Sequence, residues 1–490
     1  MAHTGSFIDG EWITPDSSKT IRNINPADTT EVIAEFPAAG REETLRAIEA
    51  AKKAYSSWRS VPAPERGRFI ARAVEIARKR IDEIAETITR EEGKILAEAR
   101  GETLKGINVL EYYAGAGFRL GGKTLPSEVP NTATYTIRQP LGVAGLITPW
   151  NFPWAIPCWK IAPALVAGNT VVFKPASSTP ATATILIEIL IEAGIPSGVL
   201  NMVVGSGSDV GKTIVEHPDV PLLSFTGSND VGSALYESGS RKGAKVTCEM
   251  GGKNPLVALA DADVEKAAKA VIAGAFGSTG QRCTATSRLI VHPSIKEKML
   301  EIICEKARTM VIGNGLDPKT EMGPSVDENQ FNTVLNYIEI GKKEGAKLLV
   351  GGEKAVDAGN GYFVQPTVFD GVTRDMRIFQ EEIFGPVLSV VEAETLEEAI
   401  DLANDVKYGL TSSIFTSDIN AAMKFVEEVH SGMTHVNEPT IGGEAQLPFG
   451  GVKATGVGDR EMAEEGINFF TELKTVFINY APTGERSMIR

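Results

Sequence analysis

The sequence is poor in the residues that build disulfide frameworks and metal sites. It has 4 cysteines among 490 residues (Cys158, Cys248, Cys283 and Cys304), and none forms a CxxC pair. Its 5 histidines are scattered and never fall in an HxxxH pattern. Because disulfide scaffolds and zinc sites need paired thiols or closely spaced imidazoles, we expect neither a disulfide framework nor a bound metal.

Long apolar runs and a surplus of basic charge are also missing. The apolar segments are broken by proline and glycine well below the roughly 20 residues that a membrane span needs. The N-terminal residues MAHTGSFIDGEW include no basic stretch followed by an apolar run, so no signal peptide is expected. The formal net charge of −14 argues against nucleic-acid binding, because no basic surplus neutralises phosphates. We therefore expect a cytoplasmic enzyme or binding protein without a membrane or nucleic-acid partner.

The length predicts more than one domain. A chain of 490 residues exceeds one ordinary core, so two or three domains are expected. Near the N-terminus, apolar residues recur every three or four positions from Arg66 to Ala85, which predicts one helix. The segment Val61–Pro64 separates that helix from a preceding one ending near Trp58.

The middle of the chain alternates strand-like and helix-like segments. Its short apolar runs are Thr170–Phe173, Leu200–Val204, Leu222–Phe225 and Lys245–Cys248. Small-residue turns and helix-length segments follow the first three runs, which predicts right-handed βαβ units and a parallel sheet. Nucleotide sites in such sheets lie at the carboxyl ends of the strands.

A second alternating series predicts a second α/β domain. Its runs are Pro255–Leu259, Arg288–Val291, Lys347–Val350, Ser389–Val391 and Ser412–Phe415. The junction near Gly251–Gly252 is then a hinge-like boundary, and clefts between domains are common ligand sites.

Two strand-like pieces, Thr134–Arg138 and Val476–Tyr480, lie outside both series. They would form a small sheet that pairs subunits, or each would be an edge strand of its nearest domain.

The segment GQRC, Gly280–Cys283, places a thiol in a glycine-containing turn. A cysteine there can be exposed and ionised to the nucleophilic thiolate. Free cysteines are more often small buried apolar residues, so this segment alone is weak evidence. Cys248, within a strand, is assigned to the core.

Two further segments carry groups that suit catalysis. EMGGK places Glu249 at a strand end before two glycines, where it would serve as a general base or remain an exposed carboxylate. PWNFPW places Asn151 in a rigid turn after the strand Gly142–Ile147. Its amide would stabilise an oxyanion, or Asn151 is only a turn residue.

Glycine turns and one lysine point to a dinucleotide. FTGSNDVG, Phe225–Gly232, opens backbone N–H groups at a helix N-terminus, and GSGSDVG, Gly205–Gly211, is a similar turn one unit earlier. The spacing is not GxGxxG, so each turn alone is weak evidence. Lys174, at a strand end in FKPASSTP, would hold ribose hydroxyls or phosphate, or is an ordinary solvated lysine.

Together these segments resemble the aldehyde dehydrogenase superfamily across essentially the whole chain. The segments PWNFPW, KPAS, FTGS, EMGGK, GQRC, EEIFGP and PFGG occur in that family's order and approximate spacing. The resemblance implies that Cys283 is the nucleophile and that Asn151, with the Cys283 backbone N–H, forms the oxyanion hole. It implies that Glu249 activates the hydrolytic water.

The resemblance also implies a nicotinamide cofactor. Lys174 matches the adenine-ribose lysine, Ser228 the pyrophosphate contact, and Glu382 and Phe384 the contacts to the nicotinamide ribose and ring. The full set of expected cofactor-binding residues is Thr148, Pro149, Trp150, Lys174, Ser177, Gly207, Phe225, Thr226, Gly227, Ser228, Gly251, Glu382 and Phe384. Many NAD-specific relatives have glutamate at the position of Ser177, so we expect NADP to be preferred and NAD to be possible.

The substrate expected from the resemblance is a small aldehyde, of the semialdehyde class that includes 2,5-dioxopentanoate and succinate semialdehyde. Expected substrate-side residues are Phe152, Trp159, Arg282, Thr284 and Phe449, with the loop Glu438–Gln446 closing the tunnel mouth. Arg282 would anchor a carboxylate or instead point into the scaffold.

The implied α/β fold has a Rossmann-like cofactor domain, a second α/β catalytic domain and a small three-stranded oligomerisation element. We assign residues 1–121 and 142–250, completed by about 436–470, to the first domain. Residues 251–435 form the second, and residues 122–141 and 471–490 form the third element. A homodimer or homotetramer is expected.

Three rival functions make different predictions. A cysteine amidase or esterase would not need the glycine turns or Lys174. CoA-acylating dehydrogenases typically lack the base that Glu249 supplies. A non-catalytic relative of the lens-protein kind would be expected to lose the thiol of Cys283.

Overall fold

The computed structural model describes residues 3–482. The strands are β1 Ser6–Ile8, β2 Glu11–Ile13, β3 Thr20–Ile24, β4 Val32–Pro37, β5 Thr124–Leu125, β6 Thr132–Gln139, β7 Val143–Ile147, β8 Thr170–Lys174, β9 Leu200–Met202, β10 Leu222–Thr226, β11 Lys245–Glu249, β12 Asn254–Ala258, β13 Thr286–Val291, β14 Lys347–Val350, β15 Thr367–Asp370, β16 Val387–Glu392, β17 Thr411–Phe415, β18 Met433–Val436, β19 Gly456–Val457 and β20 Glu472–Asn479.

The α-helices lie between these strands. They are α1 Arg41–Ser60, α2 Ala63–Lys79, α3 Ile81–Glu92, α4 Leu96–Ala114, α5 Ala155–Ala167, α6 Pro180–Glu192, α7 Lys212–Glu216, α8 Asn229–Arg241, α9 Val264–Phe276, α10 Pro293–Thr309, α11 Glu328–Lys343, α12 Arg377–Gln380, α13 Leu396–Asn404, α14 Ile419–Glu428 and α15 Ala463–Phe469. Within residues 3–482, no helix combines the length and apolar character needed to cross a membrane.

The first large sheet has the order β19-β11-β10-β7-β8-β9-β1-β2. Its central five strands, β11 to β9, run parallel, and β1, β2 and β19 are added antiparallel at the edges. Among the parallel strands, β7 comes first along the chain. The chain then continues outward through β8 and β9 and returns to form β10 on the other side of β7. The crevice between the carboxyl ends of β7 and β10 is thus a topological switch point, where such sheets bind ligands.

The second large sheet has the order β14-β15-β16-β13-β12-β17-β18 and is parallel except for β14. Four residues connect the end of β11 to the start of β12. The carboxyl edge of the first sheet therefore faces the segments that enter the second sheet. This arrangement confirms the predicted Rossmann-like and second α/β sheets.

A third, three-stranded sheet has the order β20-β6-β5. Strands β6 and β20 pair antiparallel along their whole length, from Thr132 opposite Asn479 to Gln139 opposite Glu472. The two strand-like pieces outside both series therefore share one sheet, and the edge-strand alternative is wrong.

The predicted helix from Arg66 to Ala85 is wrong in one respect, because the structure has two helices there. Helix α2 ends at Lys79 and α3 begins at Ile81, with Arg80 between them at φ −111° and ψ 15°. The break lets α2 pack against α4, α5 and α6 while α3 packs against α4 and α6. The apolar spacing continues across the break because both helices bury one face, so periodicity alone did not reveal it.

Candidate active site

Cys283 lies in a sharply bent turn between α9 and β13. Ser278 and Thr279 have positive φ values of 48° and 58°, and Gly280 follows at 66°. A Cβ added to Gly280 would lie 2.2 Å from the carbonyl oxygen of Gly385, so only glycine permits this close approach. The turn that carries the thiol is therefore packed directly against the segment EEIFGP.

Asn151 reaches the same turn from the end of β7. Its side-chain Nδ2 donates a hydrogen bond to the Gln281 carbonyl at 3.0 Å. Its own backbone carbonyl accepts a hydrogen bond from the Nζ of Lys94 at 2.6 Å, and both residues are buried. The Asn151 amide is thus tied to the carbonyl of Gln281, two residues before Cys283, and Asn151 and Cys283 line one cavity.

A cavity of about 260 Å³ brings Cys283, Asn151 and most of the expected cofactor-binding residues together at the carboxyl edge of the first sheet. The segments after β7, β10 and β11 meet the thiol turn and the loop before β16 there. The lining residues are Pro149, Trp150, Asn151, Ile156, Thr226, Gly227, Ser228, Met250, Gly251, Cys283, Gln330, Thr333, Glu382, Ile383 and Phe384.

The side chains in this cavity fit a dinucleotide. The Oγ1 of Thr226 is buried and has no hydrogen-bond partner within residues 3–482, so it is free for a ligand. A Cβ on Gly251 would lie 2.2 Å from Oε2 of Glu382, so any larger residue at position 251 would clash with this carboxylate. The backbone N–H of Gly227 already donates to the Glu249 carbonyl at 3.1 Å, so the N–H groups suited to phosphate are those from Ser228 onward, at the start of α8.

Glu382 and Phe384 are held in place on the far wall of the cavity. Oε1 of Glu382 accepts the backbone N–H of Gly252 at 2.9 Å, and burial raises the pKa of this carboxyl to about 7. Phe384 has a positive φ of 57° and packs edge-to-face on Trp150, with ring centroids 5.4 Å apart. Gln330 donates to the Phe384 carbonyl at 2.9 Å and so fixes this strained turn.

Other expected cofactor residues lie outside this cavity. Thr148 and Phe225 are buried at strand ends, and the Thr148 N–H donates to the Lys174 carbonyl at 3.2 Å. Lys174 is also buried, its Nζ donates to the Pro175 carbonyl at 2.9 Å, and burial lowers its pKa to about 8.

Ser177 lies beside a separate cavity of about 800 Å³. Its Oγ donates to the Gly205 carbonyl at 3.3 Å, and Lys19 and Arg41 line the same cavity. Gly207 begins the adjacent helical turn, and a Cβ there would meet no atom within 4 Å. The two basic residues were not recognised from the sequence, because they lie more than 130 positions before Ser177 in an unrelated segment.

The thiol itself is less exposed than its glycine-containing turn suggested. Burial, with a smaller effect of the charges of Glu382 and Glu249, raises the pKa of Cys283 to about 12 against the opposing charge of Lys105. Cys283 is therefore a neutral thiol near pH 7, and a base must take its proton before it acts as a nucleophile.

Glu249 lies at the end of β11, apart from the 260 Å³ cavity. Its Oε1 would lie 2.4 Å from a Cβ on Gly450, so the glycine pair in PFGG makes room for this carboxyl. Burial, followed by the negative charge of Glu461, raises the pKa of Glu249 well above its usual range. A protonated Glu249 can act as a general base only after it has lost its proton and become a carboxylate.

Sequence reasoning missed the ionic group behind Glu249. Lys160 and Glu461 form a buried ion pair, and the Nζ of Lys160 also donates to Ser224 at 2.7 Å. A signal was present, because Lys160 is the single charged residue in the apolar helix α5. Its partner, 301 positions away, is brought to it only by the fold.

Three expected aromatic residues form a wall next to the thiol. Cys283 and Phe152 pack against one apolar cluster that includes Trp159 and Phe449. The rings of Trp159 and Phe449 lie 5.5 Å apart, and Nε1 of Trp159 donates to Glu461 at 2.8 Å. Thr284 is buried, and its carbonyl accepts a hydrogen bond from Thr440 at 2.8 Å.

Arg282 is engaged with the scaffold. Its guanidinium pairs with Glu98 at 3.0 Å, and its Nε donates to Oγ of Ser278 at 3.0 Å. These contacts match the alternative in which the side chain points away from substrate.

A third cavity, of about 650 Å³, lies between α4 and the loop predicted to close the tunnel. Its lining residues are Gly101, Leu104, Lys105, Asn108, Glu111, Tyr112, Gly115, Arg119, Gly443, Glu444, Ala445 and Gln446. In the described part of the chain, no group of three or more His, Cys, Asp or Glu side chains is arranged to hold a metal ion.

Comparison with known proteins agrees with this geometry. An alpha-ketoglutaric semialdehyde dehydrogenase of Bacillus subtilis (strain 168) is 47% identical over 475 residues, covering 96% of this chain and 97% of the relative. A 2,5-dioxopentanoate dehydrogenase of Saccharolobus solfataricus is 46% identical over 470 residues, covering 95% and 98%.

Solved structures superpose on almost the whole chain. A betaine aldehyde dehydrogenase from Staphylococcus aureus in complex with NAD+ has a TM-score of 0.95 at 36% identity, covering 98% of this chain and 95% of that one. An NADP dependent enzyme of E. coli has a TM-score of 0.94 at 35% identity, covering 97% and 98%. The profile of the "Aldehyde dehydrogenase family" matches residues 12–476. With the thiol, the amide and the cavity at the switch point already in place, these matches show that the chain belongs to the aldehyde dehydrogenase family.

Proposed function

We propose that this aldehyde dehydrogenase oxidises a semialdehyde such as 2,5-dioxopentanoate to the carboxylic acid with NAD(P), through a thioester on Cys283. The observation that carries the proposal is the shared cavity of Cys283, Asn151 and Glu382 at the switch point of the first sheet. Two relatives at 46% and 47% identity are named for this substrate, which supports the choice of semialdehyde.

The chemistry follows from the positions of three side chains. After a base removes its proton, Sγ of Cys283 adds to the aldehyde carbon, and the oxyanion is stabilised by Asn151 and the Cys283 backbone N–H. A bound nicotinamide supplies the acceptor for the hydride that leaves this carbon. Glu249, as a carboxylate, then takes a proton from the water that adds to the thioester. The C–S bond breaks, the acid leaves, and Cys283 regains a proton.

The cofactor is held by Thr226, Gly227, Ser228, Glu382 and Phe384, with Lys174 at the adenosine end. NADP is the preferred cofactor in this proposal. Ser177 is neutral, so a 2′-phosphate there meets no like charge from position 177. The cavity beside it is lined by Lys19 and Arg41 but also by Asp16, Glu42, Glu43 and Asp209, and Lys19 lies 3.8 Å from Asp209, so the preference is assigned to Ser177 alone. NAD remains usable, because the other contacts do not depend on that phosphate.

The protein is proposed to act in the cytoplasm as a homodimer or homotetramer, with the domain division given above. The three-stranded sheet supports the assembly, because β20 exposes Leu473, Phe477 and Ile478, whose apolar area a second copy would cover. Light scattering of the purified protein measures which assembly forms.

The test is a steady-state screen of 2,5-dioxopentanoate, succinate semialdehyde, an alkanal and an aromatic aldehyde with NADP and NAD. We expect the highest kcat/KM for a semialdehyde with NADP. Equal efficiencies for all aldehydes would indicate a broad-specificity enzyme, and a strong NAD preference would contradict the cofactor assignment. Acid formation that requires CoA would replace hydrolysis with acyl transfer, and amide or ester cleavage without cofactor would indicate a hydrolase.

A further inference from the structure

Lys105 lines the cavity between α4 and the closing loop, and Glu102, a carboxylate whose charge acts on it, already pairs with Lys94 at 2.8 Å. The side chain of Lys105 is half-buried, and among residues 3–482 it forms no ion pair or hydrogen bond. Its Nζ lies 5.4 Å from the ring centroid of Trp159, on the aromatic wall next to the thiol. Burial lowers the pKa of Lys105, which shows that its positive charge has lost part of its hydration.

The other charged side chains that line this cavity are Glu111, Arg119 and Glu444, and each already has a partner. Glu444 is exposed and accepts a hydrogen bond from the side-chain amide of Gln446. Glu111 pairs with Arg78 at 2.8 Å, outside the cavity lining. The guanidinium of Arg119 donates to the carbonyls of Gly115 and Tyr112 at 3.1 and 3.3 Å. Of the two basic side chains that line the cavity, Lys105 is therefore the one whose donors are unused.

The position of Lys105 connects the cavity to the nucleophile. Its positive charge lowers the pKa of Cys283, so the two groups lie within electrostatic reach. A Cβ added to Gly443 would lie 3.4 Å from Nζ of Lys105 and 4.0 Å from the ring of Phe449. The closing loop thus passes over the ammonium group at the edge of the aromatic wall, where a ligand would be shielded from water.

We propose that Lys105 is the specificity-determining residue that binds the terminal carboxylate of an aldehyde acid whose carbonyl carbon is attacked by Cys283. The inference rests on the proposed function and names the group that selects its substrate class. A carboxylate restores to the ammonium the hydrogen bonds that burial removed, whereas an alkyl chain leaves it unpaired. Arg282, the other basic candidate near the thiol, already pairs with Glu98.

The experiment compares Lys105→Met with the wild-type enzyme on two four-carbon substrates, succinate semialdehyde and butanal. Loss of a hydrogen bond to a charged group predicts that kcat/KM for succinate semialdehyde falls about 10- to 100-fold. The value for butanal should fall less, because no carboxylate is involved and only the effect of the Lys105 charge on the pKa of Cys283 is lost. Lys105→Arg keeps the charge and should retain most of the preference.

Arg119→Gln is the matched control in the same cavity, and it should leave the ratio of the two kcat/KM values unchanged. A preference that disappears in Arg119→Gln but survives in Lys105→Met would overturn the assignment to Lys105 and leave the semialdehyde proposal standing. Equal losses on both substrates in Lys105→Met would also overturn it, because they indicate a structural role. A wild-type enzyme with no preference for succinate semialdehyde over butanal would contradict both proposals.

Discussion

Two buried carboxyl groups near Cys283, those of Glu382 and Glu249, have different surroundings. Glu382 lines the 260 Å³ cavity, accepts the Gly252 N–H, and has a pKa of about 7. Glu249 lies outside that cavity, and the negative charge of Glu461 adds to the effect of burial on its pKa. Burial therefore affects both carboxyl groups, but only Glu249 also faces a neighbouring negative charge that favours its protonated form.

We assign the two carboxyl groups different roles: Glu382 binds a ligand, and Glu249 transfers a proton. A carboxyl that only accepts a hydrogen bond needs a fixed position, which the backbone of Gly252 supplies. A carboxyl that moves protons must hold a proton and later release it, and burial together with the charge of Glu461 makes Glu249 hold one.

Replacing Cys283 with alanine removes the thiol that both carboxyl groups serve. Oxidation should fall by at least about 10⁴-fold, because no thioester forms. Cofactor binding, measured by quenching of protein fluorescence, should persist because the cavity lining is otherwise intact. Cys304→Ala, in the second domain's core, is the control and should keep its activity; oxidation by Cys283→Ala at a substantial rate would disprove the assigned nucleophile.

Glu249→Gln tests the proton-transfer side. Hydrolysis of the thioester should slow about 10²- to 10⁴-fold, so each active site should form one reduced cofactor rapidly before turnover stalls. In the wild type, hydrolysis should rise with pH, because the raised pKa of Glu249 leaves the base form scarce until the proton is lost. Rapid-quench measurement across pH shows both effects. An unchanged turnover rate, or the same pH slope in the variant, would contradict the role of Glu249.

Glu382→Gln tests the binding side. The amide keeps the shape but loses the carboxylate acceptor, so kcat/KM for the cofactor should fall roughly tenfold. Acyl-enzyme should not accumulate, in contrast to Glu249→Gln, and steady-state kinetics with rapid quench separate the two variants. If both variants accumulated acyl-enzyme, the division between the carboxyl groups would be wrong.

Ser177→Glu tests the far end of the cofactor site. A carboxylate at position 177 should repel a 2′-phosphate and lower kcat/KM for NADP about tenfold, while the value for NAD changes less than about threefold. Ser177→Gln is the uncharged control of equal size. A similar loss for both cofactors, or for both variants, would indicate obstruction instead of charge repulsion.

Much of the fold was predictable because local sequence patterns indicate where the strands and helices lie. Each predicted strand of the two alternating series appears within two residues of its observed ends, since short apolar runs between glycine-containing turns suit parallel strands buried on both faces. The helix break at Arg80 was missed because apolar periodicity continues through it. Strands β15 and β18 were also missed, because their four-residue segments TVFD and MTHV mix polar and apolar residues and form no apolar run.

The candidate site was predictable where a residue type belongs to a recognisable segment, as for Cys283, Asn151 and Glu249. Lys105, Lys160 and Glu461 do not lie in any such recognisable segment. Their importance depends on burial and on partners from distant positions, which no local pattern contains.

The sequence by itself determined the alternation of strands and helices, the identity of the thiol, amide and carboxyl groups, and the glycines that permit close packing. Only the tertiary structure decided that Asn151 and Cys283 line one cavity, that Arg282 is engaged by Glu98, and that Lys105 forms no ion pair within residues 3–482. The reason is physical: chain patterns follow from local backbone and packing preferences, whereas pKa values and free donors depend on the charges and the burial that the whole fold assembles.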